Sequence, residues 1–381
     1  MIKIKWYKKL EEMLFGRENI RLVREKFDPA KIFLDMKEDE TERKVEGVGT
    51  FCYIKDGDIP YLLFVPEEVF NIDRLVVEAN NCESDDKERI IGQASGPIRR
   101  FSNMLNHPVP VLVPLIPSEM GKPYYQQLSP DMFYEKEINN IPDKVNNVID
   151  KALDKIKEIS GVELDNKVFM NGYSASGVFA QRFALFHPER IDTLCVGGCG
   201  GSIPVPDNNI EYPLGIKGMD IDIEAYKQIK FKYYIGEYET VNMATKDTKN
   251  NGYNDRKDII DGVVKTVDRP MHDMSYFPRS VPVYTGYAYR EKYGTDLFDR
   301  FSTITELYRK SGYDFTGTVV RGRAHKNVTV NGKEYRGINE SFDDVIEAAY
   351  YKSVLPLRNK ELGYSRWKGV KNEKEKILYK L

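Results

Sequence analysis

Short apolar runs alternate with longer amphipathic ones along most of this chain. That alternation points to a mainly parallel sheet covered by helices on both faces. The short runs are Arg74 to Glu78, Val109 to Leu115, Lys167 to Gly172, Thr193 to Gly197, Phe231 to Ile235 and Thr316 to Val320. The clearest helix spans Ile141 to Ser160, where Ile141, Val145, Val148, Ile149, Leu153, Ile156 and Ile159 recur at helical spacing. Pro142 is tolerated in its first turn, and Ser160-Gly161 stops it. Upstream, Val45 to Ile54 and Tyr61 to Val65 flank Lys55-Asp56-Gly57-Asp58. The Asp-Gly step marks a hairpin, so the sheet opens with antiparallel strands.

Two segments stand outside this pattern. Residues 1 to 45 are charge-rich, with helical stretches at Tyr7 to Leu14 and Asn19 to Phe27, and read as an N-terminal extension to a domain of residues 46 to 381. Between Val241 and Asp296 the period dissolves into Asn, Asp, Lys, Gly, Tyr and Pro. So long a stretch is no ordinary connection and predicts an inserted cap or lid, or else a mobile segment. Its Tyr253, Tyr276, Phe277, Tyr284, Tyr287 and Tyr289 fit either an aromatic entrance to a site or the packing of the cap itself.

Charge narrows the partners. The 57 Lys and Arg residues nearly balance 59 Asp and Glu, a formal net charge of -2, so nothing favours nucleic acid or an anionic membrane. The basic start Met1-Ile2-Lys3-Ile4-Lys5 leads into Lys8, Lys9, Glu11 and Glu12 rather than an apolar h-region. With no apolar run of about 18 residues either, the expected location is cytoplasmic. Cys52, Cys82, Cys195 and Cys199 are then expected as reduced packing residues, because their spacing suits neither a CxxC redox pair nor a zinc site. No metal or organic cofactor is implied.

Gly172-Tyr173-Ser174-Ala175-Ser176-Gly177 lies between a predicted strand and a helix running from Gly177 to Phe186. A Gly-x-Ser-x-small pattern is common by chance; its context gives it meaning. Serine at the apex of a strand-turn-helix needs strained backbone and small neighbours two residues either side, which Gly172 and Ser176 supply. The helix then points its N-terminus at Ser174, so that the Ala175 N–H and the helix dipole can stabilise an oxyanion.

A serine nucleophile needs a base and a group that orients the base. Of the four histidines, His107 and His187 precede prolines and read as loop or capping residues, while His272 falls in the aperiodic segment. His325 follows the last predicted strand on the loop Arg321-Gly322-Arg323-Ala324-His325, at the carboxyl edge where open α/β sheets bind ligands. The acid is sought after Phe231 to Ile235, in Gly236-Glu237-Tyr238-Glu239-Thr240. Glu239 is preferred, with Glu237 capping the turn and Asp314 or Asp343 in reserve. A second oxyanion donor is expected from the Ala79-Asn80-Asn81-Cys82 loop, through the N–H of Asn81 or Cys82.

The order Ser174, Glu239, His325 over residues 45 to 355 resembles the α/β-hydrolase superfamily. More narrowly, the elbow followed by Phe179-Ala180-Gln181-Arg182-Phe183 and His187-Pro188-Glu189-Arg190 is similar to bacterial esterase-like and polyester depolymerase-like hydrolases. The resemblance implies a nucleophile, acid and base at Ser174, Glu239 and His325. Ser176 stands where many members have glycine, and Glu239 where aspartate is commoner; the loop at Asn81 lacks the His-Gly signature of many lipases. The expectation is hydrolysis of a small-molecule ester or acyl substrate. Peptidase or acyltransferase chemistry on the same residues, and a non-catalytic protein keeping the fold, are the alternatives.

Overall fold

A computed structural model describes residues 28–71, 73–81, 86–104, 108–116, 128–130, 140–199, 202–239, 256–260, 263–267, 281–294, 297–330, 332–338, 346, 349–350 and 378–380. The helical stretches expected at Tyr7 to Leu14 and Asn19 to Phe27 lie outside the described residues. In chain order the strands are β1 (Glu42–Val45), β2 (Gly49–Ile54), β3 (Tyr61–Pro66), β4 (Val76–Val77), β5 (Val111–Pro114), β6 (Val168–Tyr173), β7 (Ile191–Gly197), β8 (Lys230–Tyr238), β9 (Arg256–Ile260), β10 (Val263–Val267), β11 (Asp314–Ala324), β12 (Val328–Val330), β13 (Lys333–Gly337) and β14 (Leu378–Lys380). The helices are α1 (Pro29–Leu34), α2 (Lys87–Met104), α3 (Ile141–Ser160), α4 (Ala175–Phe186), α5 (Ile223–Lys227), α6 (Val283–Tyr293) and α7 (Leu297–Lys310).

The main sheet runs β1-β2-β3-β5-β4-β6-β7-β8-β11-β13-β12. Its first members pair antiparallel, β2 with β3 and β3 with β5, whereas β5, β4, β6, β7, β8 and β11 are parallel to one another. The expected architecture is therefore present, including the antiparallel opening.

Strand residues are apolar on both sides because both sides are covered. Leu63, Val77, Met170, Leu194, Val196, Phe231 and Tyr233 pack with α3, α4 and α7, while Phe64, Val76, Phe169, Cys195 and Tyr234 pack with α1 and α2. Successive residues point to opposite faces, so with both faces covered the strand side chains on either side are mainly apolar. Helix α3 has its predicted ends, with Pro142 in the first turn and Gly161 at φ 72° closing the helix by donating its N–H to the Lys157 carbonyl at 2.9 Å.

Several elements differ from the sequence expectation. Helix α2 carries the spacing Ile91, Ala94, Ile98, Phe101 on its buried face, but Gly92, Gly96 and Pro97 interrupt its pattern. Helix α1 and strand β1 lie in the stretch read as an extension, yet Phe33 of α1 is buried against Phe51 with ring centroids 5.7 Å apart. Strand β11 is longer than the run Thr316 to Val320 and β4 is shorter than Arg74 to Glu78. Within 241–296, β9 and β10 form a separate two-stranded sheet and α6 is a helix. Tyr289 and Tyr293 of α6 are buried, whereas Tyr284 and Tyr287 are exposed, so aromatic residues on opposite sides erase the stripe that would have announced it. Tyr289 Oη donates to the Ile203 carbonyl, and Tyr293 Oη donates to Asp207 at 2.5 Å, which fastens α6 to the loop after β7.

Phe169 is fully buried at the centre of β6, with the rings of Phe101 and Tyr350 at 6.4 and 5.2 Å. Phe169→Ala is expected to cost about 3–5 kcal/mol of stability, read as a fall in the urea midpoint; a midpoint unchanged from wild type would contradict this packing.

Candidate active site

The chain leaves β6 at Tyr173, turns at Ser174 and enters α4 at Ala175. Ser174 sits at φ 57°, ψ -117°, a conformation that L side chains rarely adopt. Close backbone contact forces it. A Cβ at Gly172 would lie 2.4 Å from the Ser176 carbonyl oxygen and 2.7 Å from the Gly177 Cα, so only glycine fits there. Position 176 admits a hydroxyl, which braces the turn by accepting the Tyr173 N–H at 2.9 Å and donating to the Tyr173 carbonyl at 3.0 Å. The Ser174 N–H donates to the Gly197 carbonyl at 2.9 Å, which locks the apex to β7.

The two expected oxyanion donors flank this turn. Ala175 opens α4, where the N–H groups have no carbonyl four residues back to serve. Asn81 lies against the elbow and donates its Nδ2 to the Tyr173 carbonyl at 3.2 Å. Cys82 lies outside the described residues.

Position 325 reaches Ser174 because two strands fall out of step. β8 and β11 pair in register from Lys230↔Asp314 to Gly236↔Val320, and the next pair is Tyr238↔Ala324, so four steps on β11 match two on β8. Gly322, at φ 68°, carries the resulting bulge, and its N–H donates to Glu237 Oε2 at 2.7 Å. Gly236 lies beneath it, where a Cβ would meet the Arg323 carbonyl oxygen at 2.4 Å. The residues that follow the last pair are Glu239 and His325. Glu239 Oε1 meets His325 Nδ1 at 2.5 Å, and His325 Nε2 lies 3.1 Å from Ser174 Oγ. Glu239 is fully buried, and its Oε2 accepts the Gly236 N–H at 2.9 Å.

The other candidates lie elsewhere. His187 caps the end of α4, with Glu189 at 3.3 Å and Asp143 at 3.0 Å from its ring nitrogens. Asp314 pairs with Lys232 at 2.9 Å at the opposite end of β11. His107, His272 and Asp343 lie outside the described residues.

The serine turn follows β6, the glutamate follows β8 and the histidine follows β11, on a sheet ordered β2-β3-β5-β4-β6-β7-β8-β11. The chain has the α/β-hydrolase fold. No protein-family model matches it, and no curated protein is similar to it in sequence. Among solved structures it is similar to poly(aspartic acid) hydrolase-1 from Sphingomonas sp. KT-1, at 17% identity and TM-score 0.44 over 70% of this chain and 88% of that one. It is also similar to a poly(3-hydroxybutyrate) depolymerase from Bordetella parapertussis, at 14% identity and TM-score 0.43 over 72% and 84% of the two chains. An S-formylglutathione hydrolase from Agrobacterium tumefaciens is a third, at 11% and 0.41 over 82% and 98%. Among the described residues of this α/β-hydrolase fold, no helix is long and apolar enough to cross a membrane.

Sequence reasoning passed over Tyr173 and Gly198. The Tyr173 ring stacks on the His325 imidazole, with centroids 5.0 Å apart and planes inclined by 28°, and its Oη donates to the His325 carbonyl at 2.5 Å. Burial, and then the nearby Glu239 charge, push the phenol far above its ordinary range, so it remains a donor. Gly198 makes room, since a Cβ there would lie 2.5 Å from the tyrosine ring and 3.0 Å from the imidazole. The only signal in the sequence was an aromatic residue before the serine and a Gly-Gly step after the next strand. Burial likewise raises the Cys199 and Cys195 thiols, which makes both inert packing groups.

Ser176→Ala is expected to lower stability by about 1–3 kcal/mol, because it removes both hydroxyl bonds inside the turn. Gly172→Ala should lower it further, the clash there being with backbone. Paired urea titrations check the ranking, and a Gly172→Ala protein as stable as wild type would refute the close contact.

Proposed function

We propose that the chain is a serine hydrolase that cleaves a carboxylic ester through an acyl-enzyme. The observation that carries this reading is the unbroken line of hydrogen bonds from Ser174 Oγ through the two nitrogens of His325 to the buried Glu239. A structural role alone gives no reason to hold a serine in a rare conformation with an imidazole aimed at its hydroxyl.

In this reading His325 Nε2 takes the Ser174 proton as Oγ attacks the ester carbonyl carbon. The C=O π bond opens, and the oxyanion is held by the Ala175 N–H and a donor from the Asn81 loop. Collapse breaks the C–O bond, and the departing alkoxide leaves as an alcohol with the proton from His325. A water molecule then repeats both steps, giving its proton to His325, releasing the acid and regenerating the serine. Glu239 keeps Nδ1 protonated and stabilises the imidazolium that forms twice per turnover. Its second oxygen stays on the Gly236 N–H, so the carboxylate need not move.

A fluorophosphonate probe and a short-chain aryl ester test the proposal together. Wild-type protein is expected to form one adduct at Ser174 and to turn over the ester, while Ser174→Ala loses both with an unchanged melting curve. Glu239→Gln should keep the shape and lower kcat by about 10³–10⁴-fold. Turnover that survives Ser174→Ala, or an adduct mapped to another residue, would overturn the assignment.

A further inference from the structure

We propose that Tyr173 is the positioning residue for His325, holding the base to the nucleophile's own turn through both its ring and its hydroxyl. The inference rests on the serine-hydrolase reading and deepens it. His325 stands on a turn between β11 and β12, just beyond the bulge, with 22% of its side chain exposed. Glu239 holds Nδ1 and Ser174 Oγ meets Nε2, but contacts at these two nitrogens leave the ring free to turn about the line that joins them. The phenol ring lies flat against the imidazole and removes this freedom. The Oη–carbonyl bond then fixes the backbone that carries the ring.

Tyr173 is itself held on every side that matters. Its N–H and carbonyl are bonded to Ser176 Oγ, and the carbonyl also accepts Asn81 Nδ2. Elbow, base and oxyanion loop thus share one residue, adjacent in sequence to Ser174. With its hydroxyl bonded to the His325 backbone, Tyr173 acts through the base. Placement within about 0.5 Å decides rate in such sites, so the effect belongs in kcat rather than KM.

The test compares Tyr173→Phe, which keeps the ring and loses the carbonyl bond, with Tyr173→Leu, which loses both. Rates are divided by the number of active sites titrated with the fluorophosphonate, so that misfolded protein does not count. Per active site, kcat on the aryl ester is expected to fall about tenfold for Tyr173→Phe and about a hundredfold for Tyr173→Leu, with KM within about twofold of wild type. A Tyr173→Phe protein with unchanged kcat per titrated site, or with a loss lying in KM or in the titre alone, would overturn the positioning role. If wild type itself neither labels nor turns over, the serine-hydrolase reading falls first. Normal wild-type chemistry with an unmoved Tyr173→Phe removes only the role of Tyr173.

Discussion

The contact between Gly172 and the first turn of α4 is the constraint on which the rest of the site depends. With a Cβ there only 2.4 Å from the Ser176 carbonyl, the strand and helix can meet this tightly only over a glycine. The tightness drives Ser174 to φ 57°, a strain of about 1–3 kcal/mol. Burial offsets it, since Phe179 and Phe183 of α4 are fully buried and each contributes about 1.5–3 kcal/mol. The strained serine is thus held by a well-packed helix rather than by a loop. The same geometry sets the N-terminus of α4 under the serine.

The histidine and glutamate depend on a second irregularity. A parallel pair in perfect register would carry β8 and β11 past each other without bringing residues 239 and 325 together at their ends. The bulge at Gly322 takes up the difference, and Glu237 holds it. A buried carboxylate is costly unless its oxygens are hydrogen-bonded, and Glu239 has the Gly236 N–H on one and His325 on the other. Two acids two residues apart therefore serve different ends, one bracing the turn and the other meeting the imidazole.

Much of this was legible in the chain. Helix α3 could be placed to the residue, because seven apolar positions, a first-turn proline and a terminal glycine agree. The parallel strands could be placed because their runs are apolar on both faces. Helix α2 was not legible, since two glycines and a proline break its stripe, nor was α6, whose tyrosines face both the interior and the outside. Histidine by elimination, and glutamate by its place after a strand, picked out the two side chains that meet here. Locally Tyr173 showed only as an aromatic residue before the serine, because its partner lies 152 residues away.

By itself, then, the sequence determined the class of fold, the serine turn and a short list of partners, because periodicity, glycine placement and strand-turn-helix order are local properties written in neighbouring residues. Only the tertiary structure decided which carboxylate meets His325, how the bulge at Gly322 delivers that histidine, and that Tyr173 stacks on its ring. Those contacts join residues far apart in the chain. They follow from sheet order and register, which arise only when the whole sheet packs between its helices.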